Sequence, residues 1–442
     1  MSKKYNIVTF GCQMNEYDSN LIAQMMDDRG CTSIDDPASA DFIIVNTCSI
    51  REKAEDTAFA RLKQLQAHKK VNPHIKLAVI GCMAKNKGEG IAEITQGVDI
   101  VLGPDSYSHL DDLLFGDPIG TSAKKRLAQK VKVITEFDDV ENYVGKSAKL
   151  SRPYSSFITI QRGCNKRCTY CIVPFVRGNE KYRPVEDILR ECREAVDQGV
   201  TELTLLGQTV NSYHDSGDTF ASLLHKVSEI NGLKRIRFTS PHPKHFTDDL
   251  IWVMGNRPNI SRHTHLPLQS GSDRILAKMR RQYDMEKFYE ISDKLRKIDP
   301  LFSITTDIIV GFVGEERADF EATLEAVKKI RFDAAFTFAY SPRVGTKAFD
   351  ETETMTEETK SAWLQELIDV QNKITFEINN KMLGQTAELL IEGPSFRNDQ
   401  EFVGKTDCFK KVIVPKGNLK VGDYVNAHID DIRGWTLRGK IV

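Results

Sequence analysis

The chain has 442 residues, and its 61 basic and 62 acidic side chains nearly cancel, which excludes a globally basic nucleic-acid binder and leaves room only for a local basic footprint. The length admits two to four domains with separate cores, and the absence of any run of about 18 apolar residues excludes a membrane-spanning helix. Nine cysteines, in a chain that starts Met1-Ser2-Lys3-Lys4-Tyr5 and runs straight into a strand pattern without a signal or transit segment, predict a cytoplasmic protein in a reducing compartment.

Residues 5–10, 41–45, 76–80 and 99–102 read as short buried strands, and residues 18–29, 50–70 and 85–95 between them as amphipathic helices. That alternation predicts an α/β domain with a parallel sheet. Three cysteines each follow one of these strands: Cys12 in Gly11-Cys12-Gln13, Cys48 in Asn46-Thr47-Cys48 and Cys82 in Gly81-Cys82-Met83. Ligands of open parallel sheets bind at the carboxyl ends of the strands, so the three thiols are expected to converge. The bland alternative is three buried small hydrophobes, the commonest state of a free cysteine. Cys31, Cys192 and Cys408 have no such placement and read as structural.

From 116 to 153 the strand signal weakens, as in Thr121-Ser122-Ala123-Lys124-Lys125-Arg126, and the segment reads as a solvated linker with one short strand at 131–134. A second series follows, with strands at 157–162, 202–206, 235–239, 263–268, 303–310 and 335–340. Helices are expected at 184–198, 220–230, 273–278, 285–297 and 318–330. Six βα repeats are too few for a closed eight-stranded barrel and suit a partial (β/α)6 barrel with its site at the carboxyl ends.

The first of these strands runs into Cys164-Asn165-Lys166-Arg167-Cys168-Thr169-Tyr170-Cys171. Three thiolates this close suit a metal rather than a disulfide staple. They can hold three irons of a four-iron cluster and leave the fourth open. Zinc is the simpler reading, but no Cys or His follows at the spacing of a second half-site. Polar residues recur at the later strand ends: Gln208 and Asn211 suit a zwitterionic amino acid moiety, and Gln269 or Ser270 suit ribose hydroxyls. Each taken singly is equally a turn or cap residue. His263 and His265 share one strand face and read as pocket or core residues. Arg177 is placed to pair with a carboxylate or phosphate, unless it is merely solvated.

After an acidic patch at 350–358, a long helix is expected at 359–381. Alternating strands split by Gly and Pro then predict a small all-β barrel. Its Lys405, Lys410, Lys411, Lys416, Lys420, Arg433, Arg438 and Lys440, interleaved with Phe402, Phe409, Tyr424 and Trp435, suit phosphates and stacked bases.

The cysteine spacing, with Tyr170 just before the last thiol, resembles the radical S-adenosylmethionine (SAM) superfamily, and the whole chain resembles its methylthiotransferases. The resemblance implies an N-terminal methylthiotransferase domain (1–118), a linker (119–152), a radical SAM domain (153–376) and a TRAM barrel (377–442). It implies two [4Fe-4S] clusters, one on Cys12, Cys48 and Cys82 that carries the sulfur and one on Cys164, Cys168 and Cys171 that cleaves SAM. The cofactor-binding residues expected for SAM are Gln208, Asn211, Gln269, Ser270 and Arg343, and no catalytic residue beyond the cluster ligands is singled out. Cys171-Ile172-Val173-Pro174-Phe175-Val176-Arg177-Gly178 and Leu206-Gly207-Gln208-Thr209-Val210-Asn211-Ser212-Tyr213 are most similar to the MiaB-type enzymes. These convert isopentenylated adenosine beside the tRNA anticodon to its 2-methylthio derivative with two SAM molecules, one as methyl donor and one as radical source. Thr209, Val313, Glu316-Arg317 and Val344 depart from that subgroup's usual residues. The implied partners are the tRNA anticodon stem-loop and an electron donor such as flavodoxin or ferredoxin, with no membrane, and the chain is expected to be a monomer. The sister enzymes acting on a ribosomal-protein aspartate or on threonylcarbamoyl adenosine are the alternatives. A non-catalytic iron–sulfur RNA-binding protein is the alternative from another class.

Overall fold

The structure is a computed structural model that describes residues 2–49, 52–116, 131–353 and 355–442; the basic linker stretch 121–126 lies outside the described residues. Six parallel strands form the first sheet, in the order Thr32–Ser33, Lys4–Thr9, Phe42–Thr47, Lys76–Gly81, Ile100–Leu102 and Lys132–Ile134. Every residue of Phe42–Thr47 is buried, because helices cover both faces, and such strands read as continuous apolar runs. Thr32–Ser33 is too short and polar to signal in the sequence. Lys132–Ile134, expected within the linker, instead closes the far edge of the sheet. The order reverses between Lys4–Thr9 and Phe42–Thr47, which makes the carboxyl ends of these two strands the switch point of the sheet.

The helix expected at 18–29 begins earlier, as Gln13–Asp28 with Cys12 at its N-cap. The helix expected at 85–95 is two short pieces, Cys82–Lys87 and Gly90–Ile94, separated at Gly88, whose φ of 49° ends the first.

The second domain has parallel strands Ser155–Thr159, Glu202–Leu206 and Arg235–Phe238, and then His263–His265, Ser303–Val310 and Ala334–Ala339. A single bridge between Ile236 and Ile260 joins the two halves, giving an open six-stranded barrel. Helices Val185–Asp197, Phe220–Ser228, Met285–Ile298 and Arg317–Ile330 contribute apolar faces to one core with the strands. The sequence reading missed the helix Asp248–Asn256, a short segment that leaves Trp252 exposed. The long helix Glu357–Asn380 packs along the last strand.

Five strands, Thr386–Ser395, Asn398–Thr406, Lys411–Pro415, Thr436–Ile441 and Tyr424–Arg433, close into a barrel in that order. It docks against residues at the amino ends of the second domain's strands. The Tyr154 hydroxyl donates to the Glu392 carbonyl at 3.1 Å, Arg235 donates to the Lys405 carbonyl at 3.1 Å, and Phe409 stacks on His263 at 4.5 Å.

This junction changes the reading of the barrel's basic surface. Lys405 pairs with Glu392 at 2.5 Å and Lys410 with Asp333 at 2.8 Å, while Arg433, Arg438 and Lys440 pair with Asp431, Glu401 and Asp430. Phe402 belongs to the barrel core, and the Tyr424 ring lies against Arg235. Arg433 and Lys440 stay exposed beside their partners, as do Lys411, Lys416, Lys420, Trp435 and one edge of Phe409.

Candidate functional site

The loop of Cys164, Cys168 and Cys171 lies between Gln161–Arg162 and Lys181–Tyr182, which pair antiparallel. Gly163 makes the turn at φ 75°, and a Cβ there would sit 1.9 Å from the Asn179 carbonyl, so no side chain fits. Gln161 ties this loop to the next strand end. Its Oε1 accepts from the backbone of Gln208 and Thr209 at 2.8 and 3.0 Å, and its Nε2 donates to the Gly163 carbonyl at 2.5 Å. Thr209, one of the departures from the subgroup pattern, brings its hydroxyl to 3.4 Å from Cys164 Sγ.

Arg281 is the residue that sequence reasoning missed here. It is buried, and its Nη1 donates to Cys168 Sγ at 3.3 Å. Arg280 and Gln282 on either side have φ values of 58° and 59°, a left-handed backbone costing about 1–2 kcal/mol per residue. Strain of this kind clusters at functional sites. The only sequence signal was a run of three charged or polar residues between two helices.

The upstream cysteines each follow the carboxyl end of a strand of the first sheet, Cys12 after Lys4–Thr9, Cys48 after Phe42–Thr47 and Cys82 after Lys76–Gly81. A Cβ on Gly11 would sit 3.1 Å from Cys48 Sγ, and one on Gly81 would meet Asn46 Oδ1 at 2.5 Å and the Thr47 carbonyl at 2.6 Å, so both glycines permit close approach of neighbouring loops. Asn15 cross-links two of them by donating to the carbonyls of Phe10 and Thr47, each at 2.9 Å. Cys82 packs against Ile172 and Val176 from the second cysteine loop.

Cys12, Cys164, Cys168 and Cys171 line one cavity of about 320 Å³ at the carboxyl ends of the second domain's strands. An adjoining cavity of about 280 Å³ shares Tyr170, Cys171, Gln269 and Asp307 with it and reaches Arg343. Gln208 and Gln269 line the first cavity, and Gln208 Oε1 is buried without a hydrogen-bond partner among the described residues. Gln269 holds a φ of 69°. Asn211 and Ser270 are committed elsewhere. Asn211 accepts from the His242 amide at 2.8 Å and donates to its carbonyl at 2.9 Å, and the Ser270 hydroxyl accepts from the Ser272 amide at 3.2 Å. His265 faces the cavity and approaches Asp307 at 3.2 Å, whereas His263 packs at the junction with the small barrel.

Burial pushes the Cys82 and Cys164 thiols upward and drives Cys171 to about 12, so these sulfurs keep their protons until a bound cation replaces them. Among the described residues no group of three or more Cys, His, Asp or Glu is gathered tightly enough for a single metal ion. A four-iron cluster occupies more space than one ion and keeps its thiolates further apart. The donor chemistry fits such a cluster: one thiol of each triad receives a hydrogen bond from a buried arginine, Cys168 from Arg281 and Cys82 from Arg177, the kind of outer contact that surrounds cluster sulfurs.

Comparison with known proteins agrees with this three-part build. The model described as Uncharacterized protein family UPF0004 matches residues 4–103, that of the Radical SAM superfamily residues 158–327 and that of the TRAM domain residues 380–442. The radical SAM match assigns an iron–sulfur cluster and SAM to the chain. The solved radical S-adenosylmethionine methyltransferase TsrM from Kitasatospora setae, with cobalamin and a [4Fe-4S] cluster bound, is similar in fold at 13% identity. Its TM-score is 0.59, over 84% of this chain and 91% of that one. The tRNA-2-methylthio-N(6)-dimethylallyladenosine synthase of Moorella thermoacetica is 39% identical over 100% of this chain and 98% of its own. That of Methylacidiphilum infernorum is 40% identical over 98% and 93%. With that similarity running through all three parts, the chain belongs to the tRNA-2-methylthio-N(6)-dimethylallyladenosine synthase family.

Proposed function

We propose that this chain converts N6-isopentenyladenosine next to the tRNA anticodon to its 2-methylthio derivative, consuming two SAM molecules, one as methyl donor and one as radical source. The observation that carries the reading is the single cavity lined by Cys12 of the N-terminal sheet together with Cys164, Cys168 and Cys171 of the barrel loop. Cys164, Cys168 and Cys171 would hold a cluster whose chemistry is one-electron reduction of SAM, and Cys12, Cys48 and Cys82 would hold a second that carries the sulfur. Gln208 and Gln269 orient SAM from the cavity wall, and Arg343 binds it from the adjoining cavity. The walls between the two triads exclude water and hold the base near both, because a free radical attacks the nearest bond.

The chain acts in the cytoplasm as a monomer, takes electrons from a flavodoxin or ferredoxin, and divides at 1–118, 119–152, 153–376 and 377–442, the second segment lending its strand Lys132–Ile134 to the sheet of the first. Its similarity to curated tRNA-2-methylthio-N(6)-dimethylallyladenosine synthases supports the choice of base over a protein substrate. Mass spectrometry of tRNA nucleosides from cells lacking the protein tests the reading. The expected result is loss of 2-methylthio-N6-isopentenyladenosine with accumulation of its isopentenyl precursor. Unchanged tRNA with an unmodified ribosomal aspartate, or loss confined to the threonylcarbamoyl nucleoside, overturns it. Absence of deoxyadenosine when the reduced, reconstituted protein meets SAM turns it into a non-catalytic binder.

A further inference from the structure

The loop that carries Cys164, Cys168 and Cys171 continues across to the other triad. The short helix Val173–Arg177 follows it and packs beside the helix Cys82–Lys87, with Ile172 and Val176 against Cys82. Arg177 closes this segment and is buried. Its guanidinium makes three different contacts: Nε donates to Cys82 Sγ at 3.0 Å, Nη1 pairs with Asp18 at 2.8 Å and Nη2 donates to Asn15 Oδ1 at 2.9 Å.

Asn15 extends that reach. Its Oδ1 stands 3.7 Å from Cys12 Sγ, and its Nδ2 holds the carbonyl of Thr47, the residue before Cys48. One side chain from the barrel therefore touches Cys82 directly and the other two strand-end loops through one amide.

The charge balance points the same way. Asp18, fully buried, pairs with Arg162 at 2.7 Å as well as with Arg177, so two buried guanidiniums share one carboxylate. A buried cation in excess is costly unless an anion answers it. The group Arg177 faces on its remaining side is the sulfur of Cys82, and thiolates ligating a cluster are the anions that would answer it.

We propose that Arg177 is a positioning residue for the upstream sulfur site: its hydrogen bond to Cys82 Sγ sets the reduction potential of a cluster held by Cys12, Cys48 and Cys82, while its grip on Asn15 and Asp18 keeps that triad facing the barrel cavity. The inference rests on the two-cluster reading above. Hydrogen bonds to ligating sulfur and nearby positive charge favour the reduced, more negative cluster and raise its potential.

The test uses the full chain carrying Cys164→Ala, Cys168→Ala and Cys171→Ala, reconstituted with iron and sulfide and titrated by electron paramagnetic resonance. If this chain binds no cluster, the two-cluster reading fails, and the inference with it, before Arg177 is altered. If it does, adding Arg177→Gln is expected to lower the midpoint potential and Arg177→Lys to recover part of the fall. Arg162→Gln, which also loses a partner of Asp18 but touches no sulfur, is expected to leave the potential in place. An unchanged potential in Arg177→Gln, or an equal fall in Arg162→Gln, overturns the proposal. Should the Gln variant fail to fold, the Lys variant decides alone: altered iron–sulfur stretching bands in its resonance Raman spectrum support the proposal and unaltered bands overturn it.

Discussion

Gln208 and Asn211 lie three positions apart on one strand-end loop, yet their amides do different things. Asn211 bonds both ways to the backbone of His242, whereas Gln208 Oε1 is buried at the cavity wall without a protein partner among the described residues. Asn211→Ala is expected to lower stability by about 1–3 kcal/mol, since it orphans two backbone groups, while Gln208→Ala weakens SAM binding with the melting temperature unchanged. Thermal melts beside equilibrium dialysis of SAM separate the two; a reversed pattern refutes the assignment. Glu315 offers a pH handle. Burial pushes its carboxyl up to about 7, against the amides of Phe312 and Gly311, which donate to Oε2. Its folded value is raised, so between pH of about 4.5 and 7 the unfolded chain releases the proton that the native chain keeps. The group therefore lowers stability progressively as pH rises through that window, by about 3 kcal/mol in total. Glu315→Gln is expected to gain on the parent between pH 5 and pH 8 in urea unfolding; a constant difference would count against the shift.

At the scale of elements, two local constructions hold the cysteines. The first is the hairpin around Gly163, where geometry rather than chemistry selects the residue. Gly163→Ala drives a Cβ into the Asn179 carbonyl, so it is expected to displace Cys164 and to lower the iron bound by the barrel triad while the upstream triad keeps its own. Iron counts in the presence and absence of the upstream cysteines measure this. The second is the contact of helix Gln13–Asp28 with the barrel, centred on Asp18. Against the upward push of burial, Arg162 and Arg177 hold its carboxyl below the usual range. Asp18→Asn leaves two buried guanidiniums without their carboxylate, and breaking a buried pair in this way costs about 3–5 kcal/mol. Earlier proteolytic cleavage of the N-terminal domain, insensitive to salt, is the expected sign; cleavage at the parental rate would show that apolar packing alone holds the junction.

Across the whole molecule, the first two domains meet through the cavity and the third closes the opposite end. Lys405 and Lys410 sit in that junction, so Lys405→Gln and Lys410→Gln are expected to lower stability and leave tRNA affinity nearly unchanged. Lys411, Lys416 and Lys420 are exposed. Replacing all three with Gln is expected to weaken tRNA binding and to flatten the plot of log affinity against log salt by about two to three units, one phosphate contact contributing roughly 0.7–0.9. Binding measured between low and moderate salt decides this, and an unchanged slope would move the RNA footprint off the barrel.

What the residues alone determined is whatever depends on local spacing. The Cys164, Cys168 and Cys171 interval, the apolar runs of both parallel sheets and the Gly-punctuated strands of the last barrel are short-range patterns, legible because each element's period and each ligand gap is written within a few positions. The placement of Cys12, Cys48 and Cys82 was also legible, because parallel strands put their carboxyl ends on one edge. Only the tertiary structure decided what meets across domains. Arg281 and Arg177, one unremarked and one weighed against plain solvation, are buried because distant segments fold over them. Lys405, Lys410, Phe409 and Tyr424, which read as an RNA surface, became a junction because their second-domain partners, Arg235 on the Lys405 carbonyl and the Tyr424 ring, Asp333 and His263, lie elsewhere in the chain. Burial and ion pairing are properties of the packed molecule, and no periodicity in one segment records which charge another segment will bring to it.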